Sequence, residues 1–161
     1  MKPFPVTAAM FLLLGGLFGL SMGGWLFLAG VLTSLPHLSL ILLAYGGCFL
    51  AFQGAIHWGL TAENPDIIPP QGMGPIERKR ILLGSIFFLW GWVSLCVGLL
   101  YTPQSGYCME IVGFVGGYAL ERVAARRGQL LSQGLLLIKA VFSFLMVLGL
   151  IFALISPQGR F

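Results

Sequence analysis

Charge is what this sequence has least of. Its 161 residues include nine Lys and Arg and five Asp and Glu, 9% of the chain, where a soluble domain carries about 25%. Hydrophobic residues make up 58% and the mean hydropathy is +0.95. So little polar surface cannot cover a globule, and the composition predicts an all-α integral membrane protein. The net charge of +4 does not point to nucleic acid. That would need a solvated basic face, and the chain sets aside no soluble module to carry one.

Cysteine and histidine are scarce too. Three cysteines, with no C-x-x-C, make neither a disulfide framework nor the paired, accessible thiols of a thiol-oxidase. Cys48, Cys96 and Cys108 fall in apolar runs and are expected to be buried as small hydrophobes. A Cys96–Cys108 disulfide across a tight turn is left to geometry. The two histidines, His37 and His57, lie at opposite ends of one apolar run. At 1.5 Å per residue they are roughly 30 Å apart and cannot ligate one haem iron. One histidine and scattered carboxylates make no zinc site, so neither metal nor cofactor is expected. Also missing are a Ser-His-Asp order, a phosphate loop, a nucleotide fingerprint, a long repeat and a signal-peptide cleavage site.

What the sequence does have is apolar length. Spans of about 20 residues run over about 6–31, 38–60, 81–101, 106–121 and 135–155, a single domain. The fourth is short and contains a glutamate, but with it the charges sort. Lys2, Arg78, Lys79, Arg80, Arg122, Arg126 and Arg127 then share one side, Arg160 takes the other, and Lys139 lies within the fifth span. Basic loops stay cytoplasmic, which predicts a five-helix bundle with its N-terminus cytoplasmic and its C-terminus periplasmic, multi-pass in a bacterial inner membrane. The clusters "ERKR" and "ERVAARR" put Arg78, Lys79, Arg80, Arg122, Arg126 and Arg127 at lipid-headgroup level.

Two connections, "TSLPHL" and "YTPQSG", are tight. "TAENPDIIPPQGMGPIERKR" runs extended over the membrane surface, with Glu63 and Asp66 before its cations, and the third helix starts near Pro75. The fourth helix is expected to continue to Arg127 and stop at Gly128.

Glycine is abundant, 23 in all. Gly15, Gly19 and Gly23 recur every four residues, Gly84, Gly91 and Gly98 every seven, and Gly113 and Gly117 form a G-x-x-x-G. Small residues that admit close backbone approach specify helix contacts in lipid. These faces either pack within the chain or leave one stripe for a partner or a second copy.

Polar residues within spans are costly and mark candidate sites. Gln53 and His57 share a helix face. Glu110 and Glu121, eleven residues apart, share a face with Phe114 and Gly117, and Glu110 sits one turn inside the boundary, within reach of water. Lys139 either snorkels or meets Glu121 or His57 at similar depth. The candidate cluster is therefore Gln53, His57, Glu121 and Lys139, with Trp58 as an interfacial aromatic beside it. His57 reads as a proton relay, a ligand or headgroup contact, or a histidine bonded to a neighbouring helix.

The stretch "AYGGCFLAFQGAIHWGL" resembles the core motif of a small uncharacterised membrane-protein family of proteobacteria and mitochondria, one member being called transmembrane protein 69. Tyr45, Gly46, Phe52, Gly54, His57, Trp58 and Gly59 carry the resemblance, which continues more weakly through "RILLGSIFFLWGWVSL" and "GFVGGYALERVAARRG". The chain departs from the family where the third span usually carries a proline near its start, here Ile86 and Phe87. It departs again where a Pro-Trp-Tyr-like segment and paired arginines open the last, here "SQG" and Lys139. The resemblance gives His57 functional weight and names no activity.

Two functions follow as expectations. One is a small non-catalytic accessory subunit or assembly factor of a larger inner-membrane complex, the respiratory chain being a client by association. The other is a small transporter or a lipid- or quinone-handling enzyme built on the cluster around His57. The absence of an inverted repeat weighs against transport.

Overall fold

A computed structural model describes residues 6–29, 36–62, 75–126 and 133–156. They form five helices: α1 (Val6–Ala29), α2 (Pro36–Ala62), α3 (Pro75–Leu100), α4 (Pro103–Arg126) and α5 (Gln133–Ile155). The described residues contain no strand. Three helices open on proline, a residue whose missing N–H and fixed φ suit a first helical position. That is why α3 begins six residues before the apolar run that predicts it, and α4 three before. Glu63, Asp66, Arg127 and Gly128 lie outside the described residues, as do Lys2 and Arg160.

Four helices, α1, α2, α3 and α5, are long and apolar enough to cross a membrane, and the chain is a membrane protein. The expected fourth span, α4, does not reach that apolarity. Its polar residues are the reason, and two of them, Glu110 and Glu121, turn into the bundle. Outward faces carry large apolar side chains such as Phe11, Phe18, Trp25, Trp92 and Phe144.

The helices pack as a three-helix layer, α2–α3–α4, joined to an α1–α5 pair. The antiparallel α2–α3 contact is backbone against backbone. A Cβ at Gly84 would lie 2.7 Å from the Gly54 carbonyl oxygen, and one at Gly47 3.0 Å from that of Gly91. Further along, Gly98 meets Leu43. On the α3–α4 side, Gly113 receives the Trp90 ring and Gly117 the Phe87 ring, while Trp90 Nε1 donates to the Met109 carbonyl at 2.7 Å. The α1–α5 pair is parallel, with a Cβ at Gly149 2.6 Å from the Gly19 carbonyl oxygen, Gly23 against Gly149, and Ser156 Oγ donating to the Leu26 carbonyl at 2.8 Å.

α1 meets α2 where Gly15 accommodates the Phe49 ring and Tyr45 Oη donates to the Gly15 carbonyl at 2.8 Å. Phe49, Phe142 and Phe114 join the two groups of helices through ring contacts of 5.1 and 5.9 Å. All eight glycines of the three stripes thus face neighbours inside this chain. The cysteines depart from expectation: Cys48 and Cys108 are exposed on outward helix faces, Cys96 is half-buried, and all three are free thiols.

Alanine at Gly54 would drive its methyl against the Gly84 carbonyl, a backbone group that cannot rotate away. Gly54→Ala is expected to cost about 1–3 kcal/mol through overpacking, read as a lowered unfolding midpoint in detergent. Gly24, with nothing within 4 Å of its Cβ position, is the comparison: Gly24→Ala should stay within about 0.5 kcal/mol. Equal losses at both positions would mean that close approach is not what Gly54 supplies.

Candidate functional site

The parallel register of α2 and α4 decides which polar residues meet. Tyr107 Oη donates to the Ser39 carbonyl at 2.7 Å, Glu110 lies against Gly46, and His57 reaches Glu121. α5, antiparallel to α4, brings Lys139 to the same level. The three side chains converge one to two turns inside the end where α2 and α4 finish and α5 begins.

His57 Nε2 lies 2.7 Å from Glu121 Oε1, and Lys139 Nζ donates to that same oxygen. Facing a carboxylate acceptor, Nε2 carries the proton and donates. A single oxygen therefore ties three helices, while Glu121 Oε2 has no hydrogen-bond partner. His57 and Lys139 are fully buried and Glu121 is 1% exposed. With a neutral imidazole the ammonium and carboxylate cancel, so the enclosed cluster carries no net charge. That is the condition under which ions persist away from water.

Phe87 on α3 closes the cluster. Its ring stacks on His57, with centroids 6.0 Å apart and planes 11° from parallel, and lies 5.5 Å from Lys139 Nζ. The ammonium sits between a carboxylate and an aromatic face, a cation–π contact worth about 2 kcal/mol when desolvated. One turn deeper, Gln53 Nε2 donates to Ser143 Oγ at 3.4 Å. Such neutral bonds in membrane bundles average about 0.6 kcal/mol, so the charged group dominates.

The structure brings together His57, Glu121 and Lys139, and places Gln53 in the next layer. It does not bring in Trp58. One residue past His57 the helix has turned about 100°, so Trp58 is 40% exposed and donates through Nε1 to the Ile81 carbonyl of α3 at 3.3 Å. Arg80 caps α2, its guanidinium donating to the Leu60 carbonyl at 3.3 Å, as cations do at helix C-termini. Arg78, Lys79 and Arg122 are exposed at this end, whereas the Arg126 side chain and Arg127 lie outside what is described.

Lys139 does not snorkel, and Glu110 does not reach water: each is 0% exposed. Two cluster residues escaped sequence reasoning. Ser143 had a signal, since it follows Lys139 by four residues as Gln53 precedes His57 by four. Phe87 had none, being one aromatic in an apolar run. Phe87 also lines an apolar groove of about 200 Å³ between α3 and α4, walled by Leu83, Trp90, Val112, Gly116 and Leu120 among others and open at the bundle surface. Phe87 is thus shared by the groove and the charged cluster.

Lys139→Met leaves the Glu121 carboxylate buried without its cation, and is expected to cost about 3–5 kcal/mol. Adding Glu121→Gln should recover most of that loss, a non-additivity measurable by unfolding midpoints of both singles and the double. Additive losses would mean that the two side chains do not act as a pair.

No curated protein and no solved structure matches the chain. The family described as "Protein of unknown function (DUF3429)" matches residues 3–155, which include all but the last of the described residues. The chain belongs to that uncharacterised family.

Proposed function

We propose that the protein is a small non-catalytic subunit or assembly factor of a larger membrane complex, with its buried polar cluster serving as an interhelix clamp. The observation that carries this reading is the enclosure of the charged group. His57, Glu121 and Lys139 are at most 1% exposed, and the groove that Phe87 lines is apolar. Catalysis on a polar substrate needs access that this arrangement lacks. A neutral, closed set of charges instead fixes the relative rotation of α2, α4 and α5, which suits a body that presents a constant lipid-facing surface to partners.

The same reading has α4 as a fifth crossing. Its 24 residues reach about 36 Å, enough for a hydrocarbon core of about 30 Å, and its glutamates turn inward, where apolarity is not required. The basic end, with Arg78, Lys79, Arg80 and Arg122, is then cytoplasmic and in contact with lipid headgroups. The N-terminus is inside and the C-terminus periplasmic. The bacterial inner membrane as location, and respiratory complexes as clients, rest on the resemblance of the His-Trp-Gly stretch.

A second reading has its own observation. Because Phe87 is shared by the groove and the cluster, an acyl or isoprenoid chain laid in the groove touches the ring that covers His57. Displacing that ring would expose the cluster to a lipid or quinone headgroup.

Native mass spectrometry of the protein extracted gently at its natural expression level tests the choice. A stoichiometric assembly with unrelated subunits is expected. A lone monomer or homo-oligomer carrying a co-purifying lipid or quinone would reject the stable-subunit reading in favour of the second.

A further inference from the structure

Glu110 stands apart from everything above. It lies three helical turns from Glu121 on α4, about 16 Å along the axis, at the end of the bundle where α3 turns into α4. Its side chain is 0% exposed and neither carboxylate oxygen has a hydrogen bond of ordinary geometry, with only the Gly47 backbone N–H beside it as a donor. Few buried polar groups in native structures are left in this way, and each calls for an explanation.

The surroundings hold no counter-charge among the described residues. On α2 the carboxyl group faces Gly46 and Gly47: a Cβ at Gly46 would collide with Oε2, and one at Gly47 would lie 3.6 Å from Oε1. On α3 the nearby polar groups are neutral, the Gly91 carbonyl and the Ser94 hydroxyl that donates to it at 2.8 Å. On α4 itself Tyr107 lies one turn earlier, and its hydroxyl is engaged with the Ser39 carbonyl. Lys139 is committed to Glu121. Arg80 is eleven residues from Gly91 along α3, about 16 Å away. An ionised carboxylate with no cation and no more than one backbone N–H beside it is among the costliest groups that an apolar interior can hold, and burial removes the cost by protonating it. A metal ion is a poor alternative occupant, because hard cations take six or more oxygens and no three His, Cys, Asp or Glu side chains converge among the described residues.

We propose that Glu110 is a proton-binding site. It is held as the neutral carboxylic acid in a cell walled by Gly46 and Gly47 of α2 and the Gly91 carbonyl of α3, and is separate from the ionised Glu121. The two glutamates of α4 are thus in opposite states, one balanced by a cation and the other by its own proton. Releasing the Glu110 proton requires water or a cation to enter between α2 and α4, so the site couples protonation to the separation of those helices. This inference does not depend on the proposed function, since a subunit, a transporter or an enzyme could each contain it.

Infrared difference spectroscopy of the full-length protein in lipid tests it, comparing wild type with Glu110→Gln at neutral pH. The expected result is loss of one carboxylic-acid C=O stretch, shifted in D2O, with the carboxylate bands unchanged. Loss of carboxylate bands instead would overturn the proposal. A second measurement needs no variant. Dicyclohexylcarbodiimide adds to protonated carboxyls: the acid proton moves to a carbodiimide nitrogen, the carboxyl oxygen bonds to the central carbon, and an oxygen-to-nitrogen acyl shift gives a stable N-acylurea with no leaving group. Peptide mapping of wild type should place the adduct on Glu110. An adduct confined to Glu121 would overturn the assignment independently of the spectra.

Discussion

One carboxylate oxygen holds three helices in register. Glu121 Oε1 accepts from His57 on α2 and from Lys139 on α5, and it sits on α4 between them. In a bilayer the hydrophobic effect does not draw helices together, so contacts must come from packing and polar bonds. Rotating α4 or α5 would strand a buried charge, at a cost of several kcal/mol, and rotating α2 would strip the carboxylate of its imidazole donor. The clamp is therefore less a source of net stability than a penalty on every other arrangement. Its neutrality as a group is what permits it to be dry.

The glycine contacts act differently. Between α2 and α3, Gly54 faces Gly84 and Gly47 faces Gly91, backbone to backbone. Such contact gains dispersion at short range and tolerates no added methyl. Together with the Phe49–Phe142–Phe114 cluster it brings the helices near enough for the polar groups to meet. Phe87 belongs to both systems: it seats on Gly117, and it covers His57 and Lys139.

Two buried glutamates on one helix with opposite surroundings give the bundle a polarity along its axis. The basic end holds a compensated ion pair and a capped α2 terminus. The opposite end holds a solitary carboxyl among glycines. Membership of an uncharacterised family leaves both features without an assigned activity, so chemistry at the named side chains is the firmest basis for experiment.

Much of this was legible in the residues. Scarcity of charge determined a membrane protein, apolar length located its helices, and Pro75 marked where the third of them starts. Spacing placed Gln53 with His57 on one face and put Glu121 and Lys139 at a matching depth, because helical periodicity is a local property. Which faces meet is not local. That Lys139 turns inward rather than snorkelling, that Trp58 leaves the cluster, that Phe87 covers it and that Glu110 is sealed against Gly46 all depend on helix rotation and register. Those are decided by backbone contacts between segments far apart in the chain, and no single segment's pattern encodes them.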